Sequence, residues 1–172
     1  MIDETAIVRP DDLILVTGAT GFIGTKLVEN LLDRGFRRLR CFSRPSSSME
    51  KLDALSERFR GRAEIQLLKG NLLRREDCLA AAKDVAVVYH LAAGAGEKSF
   101  PDAFMNSVVT TRNLLDACLQ QGVPRRFVNV SSFTVYSNLE KPKGRLLDES
   151  CPLEFHPERV SDAYCYAKVK QD

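Results

Sequence analysis

The 172-residue chain has little from which a metal centre, a disulfide framework or a membrane span could be built. Its only histidines, His90 and His156, lie far apart with no clustered ligands around them, so no metal is expected. The five cysteines (Cys41, Cys78, Cys118, Cys151, Cys165) are scattered, odd in number and lack a Cys-x-x-Cys pair. They read as reduced thiols, packed in the core or on helices, of a cytoplasmic protein. No apolar run is long enough to cross a bilayer, and an N-terminus carrying Asp3, Glu4, Asp11 and Asp12 is not a signal peptide. A formal charge of +2 gives no electrostatic footprint for nucleic acid or a membrane surface. Internal repeats at solenoid periods are absent, and the only low-complexity tract is Ser46-Ser47-Ser48.

What is present is an ordinary globular composition, 44% hydrophobic and 28% charged, in a length that suits one domain with a real core. Residues 1–12 read as a polar leader, and 13–172 as the domain. Leu13 to Val16 is a short continuous apolar run, as in a strand buried on both faces. Gly18, Gly21 and Gly24 follow at equal spacing and lead into an amphipathic helix from Phe22 through Leu27, Val28, Leu31 and Leu32. Three glycines alone could be a simple loop. A strand before, a helix after and a second strand beyond them supply the context for a phosphate-binding turn. Such a turn lets backbone N–H groups approach a diphosphate at the positive end of the helix dipole.

Further along, strands are expected at 39–43, 64–69, 85–91 and 126–131. Helices are expected at 49–59, 76–83 and 104–121, the last stopped by Gly122, with a final helix from Ser161. A loop rich in Pro, Lys and Glu covers 138–157. Alternating strands and helices with short connections predict an α/β fold: a Rossmann-type doubly wound parallel sheet of strand order 3-2-1-4-5. Its crevice lies at the carboxyl end of the first strand, where the glycines sit.

Three features downstream bear on chemistry. Ser132 lies in Val130-Ser131-Ser132-Phe133-Thr134-Val135-Tyr136 at the end of the fifth strand. Tyr164-Cys165-Tyr166-Ala167-Lys168 is a Tyr-x-x-x-Lys pair, one helical turn apart on one face. Asn106 stands in the long helix. A tyrosine hydroxyl titrates near pH ~10 unperturbed, and a neighbouring ammonium favours its phenolate. It can then exchange a proton with a substrate oxygen, to which Ser132 would donate a hydrogen bond. Most isolated Tyr-x-x-x-Lys pairs are surface helix residues; this one gains meaning from the Ser-Ser and the glycine turn upstream. His90 reads as a packed strand residue, Tyr136 as packing at a strand end, and Tyr166 as pointing away from Lys168.

With these residues in place, the chain resembles the extended short-chain dehydrogenase/reductase superfamily, in its NAD(P)-dependent epimerase/dehydratase branch. Thr17-Gly18-Ala19-Thr20-Gly21-Phe22-Ile23-Gly24 looks like the family's cofactor fingerprint. Gly70-Asn71-Leu72 resembles its Gly-Asp-Leu, with Asn in place of the acidic residue near the adenine. His90-Leu91-Ala92-Ala93 resembles the strand-end segment that lines the cofactor, and Asp148 to Leu153 the branch's acidic-then-proline segment. The resemblance implies that Ser132, Tyr164 and Lys168 form the catalytic site with Asn106 in support. It also implies that Gly18, Thr20, Gly21, Phe22, Ile23, Gly24, Asn71, Leu72, Leu91, Ala92, Ala93, Tyr164 and Lys168 touch the cofactor. The implied substrate is a small molecule, with nucleotide sugars among the candidate class, and the implied assembly is a homodimer through the long helix and the catalytic helix.

The end of the second strand argues the cofactor's phosphate state. An acidic residue there bonds the ribose hydroxyls of NAD, whereas an arginine suits a 2′-phosphate. Here Ser43 and Arg44 stand at that place, and the next carboxylate is Glu50. NADP is therefore favoured over NAD. Members of the resembled family continue past the catalytic helix into a sixth strand and a substrate domain, so the chain is expected to be an incomplete domain. Two readings stay open: an oxidoreductase or epimerase/dehydratase, and a dinucleotide-binding module without turnover.

Overall fold

A computed structural model of the chain describes residues 7–94, 99–137, 144, 146–157 and 162–172. The first six residues of the expected leader, most of the 138–145 stretch and the expected helix start at Ser161 lie outside the described residues. The chain divides into two compact units: residues 1–92 with 113–130, and residues 93–112 with 131–172.

The first unit carries the whole sheet. Its elements are β1 (Leu13–Thr17), α1 (Phe22–Asp33), β2 (Arg38–Ser43), α2 (Glu50–Arg58), β3 (Glu64–Lys69), α3 (Arg75–Ala82), β4 (Val87–His90) and β5 (Arg126–Asn129). The strands are all parallel, in the order β3-β2-β1-β4-β5, which is the expected Rossmann-like arrangement. All five residues of β1 are buried, because the strand has neighbours on both edges and helices on both faces. Alternation along β1 feeds two cores. Leu13 and Leu15 join Phe42, Leu72, Cys78, Ala81, Leu114 and Cys118 on the α3 side. Ile14 and Val16 join Val28, Leu31, Leu32, Leu52, Leu55 and Phe59 on the α1 and α2 side.

One arginine of the cluster near β2 has a structural task. Arg40 Nη1 donates to the carbonyls of Ala81 at 2.9 Å and Lys83 at 2.6 Å, and Nε to Gln66 Oε1 at 2.9 Å. It thereby closes the carboxyl end of α3, where carbonyls lack intrahelical donors.

The second unit contains α4 (Phe100–Ala103), a π-helical turn (Phe104–Val109), a 3₁₀ turn (Phe133–Val135) and α6 (Ala163–Gln171), while α5 (Thr110–Gln121) has its first residues here. Two of the boundaries that differ from expectation are set by serine caps. The helix expected from Phe104 begins at Phe100, because Ser99 caps it: the Ser99 hydroxyl accepts from the Asp102 N–H at 3.1 Å. The fifth strand, expected to reach Ser131, ends at Asn129; Ser132 instead caps the 3₁₀ turn, accepting from the Thr134 N–H.

Candidate functional site

The glycine turn is a close-packed backbone junction. Gly18 has φ +65°, and a Cβ there would stand 2.9 Å from the Ala92 nitrogen and 3.0 Å from the Leu91 carbonyl carbon. A Cβ on Gly24 would stand only 2.1 Å from the Gly18 carbonyl oxygen. The Gly21 N–H donates to that same oxygen at 3.0 Å, and the Thr25 hydroxyl donates to the Ala19 carbonyl at 3.1 Å. Gly21 is the N-cap of α1 and offers no side-chain acceptor, and the first turn has no acidic residue. The positive end of a twelve-residue helix thus presents backbone donors without an internal anion. This donor set, with no carboxylate competing for it, fits a dinucleotide diphosphate, and at Gly18 and Gly24 the backbone contacts leave room for nothing larger than hydrogen. Phe22 and Ile23 stand beside the turn with 84% and 60% of their surface exposed, an apolar edge of the kind a ligand covers. Thr20 is half-buried.

Beneath the turn, Thr17 ends β1 opposite His90 of β4. The Thr17 hydroxyl accepts from the Ala92 N–H at 3.2 Å and lies 2.7 Å from His90 Nδ1. Both residues are buried, and His90 also packs at 5.9 Å from the Phe127 ring. His90 is a strand residue that fixes where β4 gives way to Leu91 and Ala92, both half-buried beside the turn. Nothing in the motif spacing pointed to this clasp; the pairing of Thr17 with His90 needed the β1–β4 register.

At the end of β2 the two residues expected to face a 2′-phosphate part company. Arg44 is exposed, but the Ser43 side chain is turned inward, 3% exposed, with its hydroxyl donating to Met49 Sδ at 3.2 Å. The Leu72 side chain lies in the core, 6% exposed, and its carbonyl accepts from Asn113 Nδ2 at 2.9 Å and from the Cys78 thiol at 3.3 Å. Asn71 is exposed and shapes a local turn, its Oδ1 accepting from the Leu73 N–H at 2.9 Å. A cavity of about 360 Å³, lined by Phe36, Arg37, Phe59 and Arg62 among others, sits at the amino-terminal end of β2 and holds no expected site residue.

The second unit holds the remaining candidates. Asp162 caps α6, accepting from the Cys165 N–H at 2.9 Å, and this fixes the register of Tyr164 and Lys168. Hydrogen bonds from the Cys165 backbone hold the Asp162 carboxyl below its usual range. Tyr164 is half-buried, and Lys168, four residues on, is only 3% exposed. Burial pushes the Lys168 ammonium below the usual lysine range, with Asp172 opposing. Tyr166 is turned onto α4 and the π turn, its ring 5.2 Å from Phe100 and 6.5 Å from Phe104. Ser132 is half-buried; because its oxygen accepts from the Thr134 N–H at 3.3 Å, its own O–H is left to donate. Asn106 lies in the π turn, a helical irregularity common at functional sites. Its carbonyl accepts from the Thr110 hydroxyl at 2.9 Å, and the neighbouring Ser107 hydroxyl accepts from the Gly94 N–H at 3.0 Å. Ala93 is half-buried. Among the described residues no cluster of His, Cys, Asp or Glu could hold a metal ion, and no helix is long and apolar enough to cross a membrane.

Known proteins align with this arrangement. Cinnamoyl-CoA reductase 1 of Oryza sativa subsp. japonica is 31% identical over 163 residues, covering 91% of this chain and 46% of that protein. The 3 beta-hydroxysteroid dehydrogenase/Delta 5-->4-isomerase of Mycobacterium tuberculosis is 32% identical over 164 residues, covering 91% of this chain and 40% of its own. The chain thus spans less than half the length of these relatives. The UDP-glucuronic acid 4-epimerase of Bacillus cereus, solved with UDP-glucuronic acid and NAD, superposes with a TM-score of 0.69 at 26% identity, over 92% of this chain and 49% of that one. Residues 14–172 match the NAD dependent epimerase/dehydratase family. With parallel strand order, glycine turn and relatives in agreement, the chain belongs to that family, within the short-chain dehydrogenase/reductase superfamily.

Proposed function

We propose that this chain carries the cofactor-binding and proton-transfer residues of an NADP-dependent oxidoreductase or epimerase/dehydratase acting on a small molecule with a secondary alcohol or carbonyl. The observation that carries the reading is Lys168, a lysine only 3% exposed and one helical turn from Tyr164. Burying an ammonium is costly, and its nearest use is to act on a neighbour. The Tyr164 hydroxyl would take a proton from, or give one to, a substrate oxygen. Ser132, with its O–H left to donate, would hold that oxygen and stabilise charge developing on it. Asn106 supports the site from the π turn. When bound, the nicotinamide supplies the hydride acceptor or donor. Gly18, Gly21, Phe22, Ile23 and Gly24 would hold its diphosphate at the start of α1, and Leu91 and Ala92 would line it.

The preference for NADP rests on Arg44, exposed at the end of β2 where the family's NAD-selecting members carry a carboxylate. With Ser43 turned inward, Arg44 alone would pair with the 2′-phosphate. The homodimer is part of the same proposal, supported by Leu115 and Leu119, exposed one turn apart on α5. Fluorescence titration of the chain with NADPH and NADH tests the cofactor reading. NADPH should bind more tightly, and Arg44→Ala should weaken NADPH about tenfold or more while leaving NADH unchanged. A folded chain that binds neither nucleotide would sink the reading. Tyr164→Phe should retain NADPH binding and lose hydride transfer.

A further inference from the structure

The burial of Lys168 raises the question of what holds its charge in place. The ammonium donates to Gln171 Oε1 at 2.8 Å. Gln171 Nε2 donates in turn to Thr111 Oγ1 at 2.8 Å, and the Thr111 hydroxyl donates to the Ser107 carbonyl at 2.7 Å. The direction of this chain is forced at both ends. An ammonium can only donate, so the oxygen of the Gln171 amide must face it. Thr111 spends its proton on a carbonyl, so a lone pair must face the amide nitrogen. One orientation of the Gln171 amide satisfies both neighbours, and the flipped one would set like against like at each end.

Helix geometry adds to this. A helical side chain leans toward the amino terminus and covers the turn before its own Cα. Gln171 therefore reaches back over Lys168, and Lys168 leans in the direction of Tyr164. The anchor of the amide is a backbone carbonyl of the π turn that also carries Asn106. Asp172, next along, accepts from the Ser131 hydroxyl and acts on Lys168 through its charge. Of the elements packed on α6, α4 brings Asp102, already bonded by the Ser99 hydroxyl at 2.6 Å; α5, whose Thr111 meets Gln171, carries Arg112; the π turn and the 3₁₀ turn bring no ionisable side chain. On α6 itself the ionisable groups are Tyr164, Cys165, Tyr166 and Lys170.

We propose that Gln171 is a positioning residue for Lys168, bridging its ammonium to Thr111 so that the charge stays fixed beside Tyr164. The proposal rests on the preceding reading that Lys168 acts on Tyr164. Its test does not depend on turnover. The chain labelled with ¹³C at lysine Cε is titrated by NMR, with the Lys168 resonance assigned by its loss in Lys168→Met. Gln171→Leu removes an acceptor from the charged form, and the Lys168 midpoint should fall by about one pH unit. Gln171→Glu supplies a charged acceptor and should raise it. Thr111→Val leaves Gln171 in place but unanchored and should lower the midpoint by a smaller step; it also serves if Gln171→Leu does not fold. A Lys168 midpoint unmoved in Gln171→Leu and in Thr111→Val would overturn the proposal. A purely structural role for Gln171 predicts that unmoved titration. The measurement uses no nucleotide, so failure of NADPH binding and failure of this bridge are separate results.

Discussion

Replacing Gly24 with alanine sets two opposed effects of known size against each other. Gly24 lies in the first turn of α1, and in an open helix alanine would be favoured by about 1 kcal/mol. Here the added methyl would stand 2.1 Å from the Gly18 carbonyl oxygen and 2.8 Å from the Ala19 Cα, both backbone atoms of the turn. Relief requires α1 and the turn to separate by more than about 1 Å, since carbon–oxygen contacts are comfortable near ~3.4 Å. That movement would loosen Val28, Leu31 and Leu32, all buried against the sheet. Overpacking of this kind costs about 1–3 kcal/mol when side chains give way, and the upper end applies where the obstacle is backbone. The net expectation is a loss of about 2 kcal/mol, read as a lower urea midpoint with an unchanged slope. On the proposed function, NADPH affinity should fall about 10–100-fold, because the displaced N–H groups are those proposed to meet the diphosphate. Gly21→Ala is the comparison: its methyl would meet only the Gly18 oxygen at 3.2 Å, and the cost should stay below about 1 kcal/mol. If Gly24→Ala melts with the parent midpoint and binds NADPH as the parent does, the close packing of α1 on the turn is refuted.

Thr17→Val keeps the shape of a buried residue but removes the acceptor for the Ala92 N–H and the partner of His90 Nδ1; it should cost about 1–3 kcal/mol in a urea titration, and an unchanged midpoint would show that the clasp carries no stability. Arg40→Leu should cost about 1–2 kcal/mol by stripping the donor from the end of α3, and should leave nucleotide binding intact. Burial pushes the Cys41 thiol up to about 12 and the Cys78 and Cys118 thiols up to about 11, so a thiol-reactive disulfide reagent at pH 8 should reach these three only after denaturation; rapid labelling of the native chain at any of them would contradict their burial. Lys168→Met should abolish hydride transfer yet raise stability at neutral pH by about 1 kcal/mol, since it removes a desolvated charge. The sign follows from the lowered pKa: the folded chain binds fewer protons at Lys168 than the unfolded chain between the two pKa values, so the penalty is full below the folded pKa and fades as pH rises toward ~10.4. Loss of stability in Lys168→Met at pH 7 would contradict that reasoning.

The sheet was legible because its causes are local. The apolar run at Leu13 to Val16 has the composition of a strand covered on both faces, and both faces are covered. Alternating elements then leave few right-handed ways to order parallel strands, and the order β3-β2-β1-β4-β5 is the one adopted. Boundaries were less legible where a side chain competes with the backbone pattern. Apolar residues up to Val130 extend the expected strand to Ser131, but the strand ends at Asn129 and the Ser132 hydroxyl caps the turn that follows. Hydrophobic spacing alone places the helix start at Phe104, whereas the capping signal of Ser99-Phe100-Pro101-Asp102 starts it four residues earlier.

The candidate site divides along the same line. The glycines could be read because a close backbone approach excludes every other residue type, and Gly18 and Gly24 meet that condition. The Tyr164–Lys168 spacing could be read because four residues make one helical turn. Ser43 could not, since the direction of its hydroxyl was settled by Met49, which no rule of strand-end chemistry includes. The bridge from Lys168 through Gln171 to Thr111 was beyond reach for a stronger reason. Gln171 and Thr111 are 60 residues apart, and neither belongs to a motif. Motifs record the groups that must touch cofactor or substrate, where few residue types will serve. The groups that hold a buried charge in place need only present the right dipole, and a fold can find that dipole in many side chains. A charge such as Lys168 therefore announces itself in sequence, while what keeps it where it is useful is visible only in the packing around it.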